Sequence, residues 1–309
     1  MMAWKVVKQP SFLIGFLFIA GLLTISFTFE RFYQVPEKVE FLYNDQGFVS
    51  KVAPFSPSDV PPFGTDRRGQ SMFHLILDGA KYTVLFAAGI AVLRIALSVL
   101  ISFFYYRMNT KTGSFIEDLV ESSIYMPTAI LAFILMEPLF MADPSGGFRK
   151  LNEIVTLQFL ILTGIGVLPL ISFFSKDIKS IMKKDYITNT VALGASLPYV
   201  YVRHVLPELV TKCLVLTAQN MIQVLIILCH LGVLSVFIGG AEVLMEGDPM
   251  EPTPAFYPIA GEWSGLIGLA FRELQTAPWL VLLPLAFFAA TIYALNLIMQ
   301  GIQNVRDAK

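Results

Sequence analysis

Few residues in this chain are of types that do chemistry, and most of those stand inside long apolar runs. The histidines are His74, His204 and His230, and no His-Glu-x-x-His pair occurs. A zinc hydrolase needs such ligands on one helix face. No two carboxylates share an apolar run, which leaves no acid/base couple inside a membrane. Cys213 and Cys229 lie in one run, roughly 24 Å apart along a helix, too far to bridge each other. They read as small packing residues. No Gly-rich loop ending in Gly-Lys-Ser/Thr is present, so the chain carries no phosphate cradle of that kind.

The remaining polar residues recur at helical spacing. Gln219, Gln223 and His230 share one face, with Asn220 beside it. Tyr293, Asn296 and Gln300 repeat the pattern in the last run, and Arg94 stands near the middle of the second. In a bilayer, such side chains either line a path for a polar solute or join helices by hydrogen bonds. Both uses are open for Gln219, Gln223, His230 and Asn296. Arg94 reads as half of a structural ion pair, for which Glu137 is a conceivable partner, or as part of a path. His230 beside Cys229 reads as a packing residue rather than a metal ligand.

The elements that must position these residues are membrane helices. Of 309 residues, 55% are hydrophobic and 15% charged, against about 25% charged in soluble domains. The mean hydropathy is +0.67. A crossing needs about 20 apolar residues. Six runs qualify: 11–29, 82–106, 122–142, 154–175, 213–241 and 274–301. The prolines within them are tolerable because neighbouring helices can satisfy freed carbonyls. The first run follows Lys5 and Lys8 and lacks a small-x-small cleavage site, so it reads as an uncleaved crossing. The expectation is therefore an all-α polytopic membrane protein. A net charge of −1 without a basic tract excludes a nucleic-acid partner.

Six crossings put both termini on one side, and Lys/Arg asymmetry places that side in the cytoplasm. Segment 176–212 carries Lys176, Lys179, Lys183, Lys184, Arg203 and Lys212, while the segment after the fifth run is acidic. The basic residues of segment 30–81 run against the rule, which weakens for longer loops. The chain divides into 1–29, a tail and first crossing; 30–81, an extracytoplasmic loop closing on an interfacial amphipathic helix at 70–81; and 82–309, a five-helix core. Within that core, 176–212 reads as helix, turn, helix, broken at Gly194 and Pro198.

Segment 176–212 is where the sequence becomes recognisable. Ala192-Leu193-Gly194-Ala195-Ser196 is followed by Arg203-His204-Val205-Leu206-Pro207, with thirteen positions from Gly194 to Pro207. This resembles the EAA loop of ABC importer permeases, in the oligopeptide/dipeptide/nickel branch. Three other segments are similar to that branch: Gly64-Thr65-Asp66 with Gly69, the stretch Gly232 to Gly239, and Thr276-Ala277-Pro278-Trp279 with the ending Gly301 to Asp307. The chain departs at the signature itself, where Thr188, Asn189 and Thr190 stand for Glu-Ala-Ala. Trp263 also follows the Pro-Thr-Pro at 252–254 only after an insertion.

The resemblance implies a type I importer permease fold of six helices in the bacterial cytoplasmic membrane. It implies a non-catalytic subunit forming half of a pathway for peptides or similar solutes. The implied partners are a second permease, two ABC ATPases that hold the ATP and magnesium, and an extracytoplasmic solute-binding protein. No cofactor is expected on this chain. Ala192, Leu193, Gly194, Ala195, Ser196, Arg203 and Pro207 would couple to the ATPase. Alternatives are a nickel-chelate cargo, a permease-like sensor with altered coupling, and an intramembrane enzyme, which the missing catalytic constellations disfavour.

Overall fold

The computed structural model describes residues 6–32, 38–106, 126–139, 150–248 and 251–307. In chain order the helices are α1 (Pro10–Phe32), α2 (Met72–Tyr106), α3 (Thr128–Met136), α4 (Leu151–Met182), α5 (Asp185–Ala192), α6 (Leu197–Val200), α7 (Leu206–Val233), α8 (Trp263–Ala270) and α9 (Trp279–Asp307). Among the described residues two small antiparallel hairpins lie between them, β1 (Phe41–Tyr43) with β2 (Val49–Val52), and β3 (Ala241–Asp248) with β4 (Glu251–Pro258).

Among the described residues, five helices are long and apolar enough to cross a membrane: 10–29, 72–104, 151–182, 197–233 and 279–306. The run expected as a crossing at 122–142 appears as the short apolar helix Thr128–Leu139; its remaining residues lie outside those described. Helix α2 packs along α1, α4 and α7, while α9 packs along α1, α7 and α8.

Two expected boundaries move. The segment 70–81 is not a separate surface helix, because α2 runs unbroken from Met72. Met72, Ile76, Leu77 and Ala80 belong to the main apolar core. The reason is α8, a short buried helix that follows the insertion. Its Trp263 Nε1 donates to the Ile76 carbonyl at 2.7 Å, and its backbone N–H to Thr83 Oγ1 at 3.0 Å. Glycines let α7 and α8 touch: a Cβ on Gly268 would overlap the Gly232 carbonyl, the close backbone approach that small residues permit in membranes.

The fifth apolar run does not stay helical to 241. Helix α7 ends at Val233 in a Schellman closure, with Val236 N–H donating to the Leu231 carbonyl and Ser235 N–H to Gly232. Ser235 occupies the left-handed position at φ 61°. The chain then leaves as β3, paired in register from Ala241↔Pro258 to Asp248↔Glu251. Both strands are edges, so Pro252, Pro254 and Pro258 remove no internal ladder bond.

The two ends of the bundle differ. At one end Val6, Val215, Ile302 and Val305 pack together, so the N-terminal and C-terminal ends meet the base of α7. At the other end lie the 38–71 segment and the β3–β4 hairpin. These two meet where the Arg68 guanidinium stacks 3.4 Å from the Tyr257 ring centroid, and beside that contact Arg67 pairs with Glu273 in the turn after α8. Within the first, Asp66 accepts from the backbone of Arg68 (2.9 Å) and Gln70 (2.7 Å), and Thr65 Oγ1 accepts from Phe55 N–H at 3.0 Å. The Gly-Thr-Asp stretch is thus a structural turn. Burial raises the Asp66 carboxyl to about 6 against those two backbone bonds.

Candidate functional site

The coupling candidates form an exposed tip on a buried base. Helix α5 stops at Ala192, and Gly194 reverses the chain at φ +92°, a conformation that L side chains adopt only under strain. Leu193 is 89% exposed at that tip. Ala192, Gly194, Ser196, Arg203 and Pro207 are exposed and Ala195 half-buried. Pro198, expected with Gly194 to separate the two helices, instead lies inside the second, in the first turn of α6, where a missing N–H costs nothing. Nor does that segment stop at Val205. It continues through a π turn, Tyr201–Val205, into α7. Pro207 has no N–H to offer the Arg203 carbonyl, and a widened turn one turn earlier accommodates that loss.

Beneath the tip, Ile187, Val200, Tyr201, Val205 and Leu209 join Ile95, Leu170, Phe174, Ile178 and Ile181 in a second apolar core. Tyr201 Oη donates to the Val99 carbonyl at 2.7 Å, and its ring lies 4.3 Å from that of Phe103. The tip is therefore mounted on the ends of α2, α4 and α7 at once. Charges brace its flank: Lys184 pairs with Glu208, which also accepts from Tyr186 Oη at 3.1 Å, and Lys212 meets Asp177 at 2.8 Å. The hydrogen bond to Glu208 holds the Lys184 ammonium above the usual lysine range.

Composition did not single out the apolar surroundings of the tip. Tyr199 (55% exposed) and Val202 (64%) stand beside it, and the Tyr186 and Tyr199 rings flank His204 at 5.9 and 6.3 Å. Their helical spacing from Tyr199 to Val202, in a segment expected to be helix, was the available signal.

The polar candidates fall into two sets. Arg94 is fully buried, and among the described residues its partners are not carboxylates. Its Nε donates to the Leu162 carbonyl at 3.0 Å, Nη2 reaches the same oxygen, and Nη1 reaches Gln223 Oε1 at 3.2 Å and Asn220 Oδ1 at 3.4 Å. Glu137, the conceivable partner, is not among them; it lies in the turn after α3. A Cβ at Gly166 would overlap the guanidinium, so that glycine makes the space. Arg94 thus joins α2, α4 and α7 through neutral acceptors, the arrangement a buried cation needs in place of water.

Gln219, Gln223 and His230 do share one side of α7, and that side is exposed, with Leu214 and Ile226 along it. No other described element covers this stripe. Asn296 is half-buried and donates to the Ile292 carbonyl of its own helix at 3.1 Å, apart from the stripe.

Sequence reasoning missed the two buried side chains that hold the 234–240 turn. Gln158 Nε2 donates to the Phe237 carbonyl (2.8 Å) and its Oε1 accepts from Gly239 N–H (2.9 Å). Glu262 Oε1 accepts from Ile238 N–H at 2.9 Å. Burial lifts the Glu262 carboxyl to about 7, opposed by the Ile238 bond. Gln158 was visible as the lone amide in an otherwise apolar stretch.

A bundle of long apolar helices, with an uncovered polar stripe and an apolar tip mounted on three helix ends, defines an integral membrane protein. It is a distant relative of the OppC/DppC peptide-transport permeases. The chain is 20% identical to the di/tripeptide transport system permease protein DppC of Pseudomonas aeruginosa, over 85% of this chain and 82% of that protein. It is 19% identical to the oligopeptide transport system permease protein OppC of Haemophilus influenzae, covering 94% and 84%. The OppC of Escherichia coli K12 gives 19%, covering 89% and 81%. The chain matches no family model.

Proposed function

We propose that this chain is one permease of a heteromeric, ATP-driven importer of short peptides, in a bacterial cytoplasmic membrane. The observation that carries the proposal is the Leu193–Gly194 tip, 89% exposed at Leu193 and seated on the core shared by α2, α4 and α7. An ATPase that grips this tip would move three helices together. The uncovered stripe of Gln219, Gln223 and His230 would face the second permease across the solute path. Run 122–142 would supply the sixth crossing of a type I permease, with the termini and the tip in the cytoplasm. An extracytoplasmic binding protein would deliver the solute. ATP and magnesium would belong to the two ATPases.

The mechanism is alternating access. Closure of the ATPases on ATP would pull the paired tips together. Motion would pass through α5 and the π turn to α7, and so to the stripe. A permease-like subunit with altered coupling is the second reading, favoured by one observation. Thr188 and Thr190 hydroxyls donate to the Lys184 and Tyr186 carbonyls one turn earlier (3.2 and 2.6 Å) and offer a partner no charge. A surface ion pair is worth about 0–1 kcal/mol, so docking through Leu193, Tyr199 and Val202 can proceed without it.

Gly194→Tyr tests the proposal in the assembled complex. Nothing lies within 4 Å of a Cβ there, and the backbone strain is roughly 1–2 kcal/mol, so insertion and permease pairing should survive. ATPase association or peptide-stimulated hydrolysis should collapse. Normal transport with normal ATPase binding would make the segment an ordinary turn.

A further inference from the structure

We propose that a pocket at the end of the α7 stripe is a binding site for a short zwitterion, holding its ammonium at Glu137 and its carboxylate at Arg272. The inference rests on the peptide-import reading and names a solute site for it. The pocket measures about 510 Å³, within the roughly 300–1,000 Å³ of small-molecule sites. It lies where the exposed stripe of α7 ends, since Leu234 and Ser235 line it directly after His230 and Val233. Most of its wall is apolar, with Phe133, Leu139, Ile154 and Val236 among the lining.

Two charges break that wall, and they have opposite signs. Glu137 comes from the turn after α3 and Arg272 from the turn after α8. Among the described residues they are the only ionisable groups lining the pocket, and neither forms an ion pair. Two opposite charges from separate elements, lining one apolar pocket without pairing among the described residues, match a solute that carries one of each. A guanidinium can hold a carboxylate by two parallel bonds, while a carboxylate accepts from an ammonium. The apolar wall between them suits uncharged side chains.

The floor is preorganised. Ser235 is, among the described residues, the one with positive φ that is not glycine, a strained geometry that persists only where surroundings enforce it. Here they do: Gln158 grips Phe237 and Gly239 from below, and Glu262 grips Ile238. The turn that shapes the pocket is therefore fixed to α4 and to the start of α8 before any solute arrives. The Arg94 network is a separate feature, because its guanidinium is already satisfied.

The test uses the full assembly in nanodiscs without the binding protein, so that selectivity of that protein does not enter. Displacement of a fluorescent tripeptide is read with three competitors: tri-alanine, N-acetyl-tri-alanine and tri-alanine amide. Glu137→Gln should weaken tri-alanine about tenfold and leave the N-acetyl peptide unchanged. Arg272→Gln should do the same for tri-alanine and leave the amide unchanged. Both residues are exposed, so folding should be unaffected. Equal weakening of all three competitors, or none, overturns the pocket assignment. So does a wild type that binds no tripeptide, although its ATPase responds to peptide when the binding protein is present. A wild-type assembly whose ATPase no peptide stimulates even then overturns the import reading beneath it.

Discussion

Gly166→Ala should destabilise this protein, although the same change in a helix interior ordinarily adds about 0.5–1 kcal/mol. Gly166 lies within α4, and a methyl there would overlap Arg94. The guanidinium is the group that can yield, but it is fully buried and tied to the Leu162 carbonyl, Asn220 and Gln223. Moving it gives up at least one bond from a charged donor, about 1.5–3 kcal/mol. The net change is a loss of roughly 1–2 kcal/mol. In an Arg94→Ala background the sign should reverse, since the methyl then enters vacated space and keeps its helical advantage. The double-mutant cycle should show a coupling of roughly 2–3 kcal/mol. Thermal melts of the four proteins in one nanodisc lipid supply the ranking. Gly166→Ala that is neutral or stabilising beside an intact Arg94 would refute the argument that this arginine is a fixed joint between α2, α4 and α7.

Two further outcomes follow from the same geometry. Glu262 is raised to about 7 by burial, from 4.5, so its stabilising contribution is full below about pH 4.5 and is lost as pH rises through 7. The gap corresponds to on the order of 3 kcal/mol. Melts at pH 5 and pH 8 should show the wild type weakening at the higher pH. Glu262→Gln, which retains an acceptor for Ile238 N–H, should shrink that difference to the part that Asp66, raised to about 6, contributes; an unchanged pH dependence would contradict the assignment. For orientation, in a background lacking Cys213 and Cys229, an impermeant thiol reagent applied outside should label a cysteine at Glu251 and spare one at Lys183, and the reverse pattern would invert the proposed topology.

The long helices were legible because twenty-residue apolar runs have few alternatives. Their ends were not, because ends depend on tertiary partners. Met72 to Ala80 looked amphipathic and interfacial until Trp263, nearly two hundred residues away, covered that face. Composition could not reveal that α8 folds back between α2, α7 and α9. The β3–β4 hairpin was hidden by its prolines, which two-stranded edges tolerate. The glycine-tipped turn was legible from Gly194 and its spacing to Pro207. Its apolar collar was not, because Tyr199 and Val202 become neighbours of the tip only once α6 and the π turn form. Arg94 was visible as an anomaly, but its partners are a backbone carbonyl and two amides, and no charge pattern in a sequence points to those.

On the proposed function, this chain converts ATPase closure into passage of a peptide. The direct measurement is uptake of a labelled tripeptide into proteoliposomes containing this chain, its partner permease, the two ATPases and the binding protein. ATP hydrolysis is followed in the same vesicles. Uptake and peptide-stimulated hydrolysis that both disappear when Gly194→Tyr replaces the wild-type chain would bear out the account. Hydrolysis stimulated by peptide with no uptake by the wild-type assembly, or uptake undiminished in Gly194→Tyr, would contradict it.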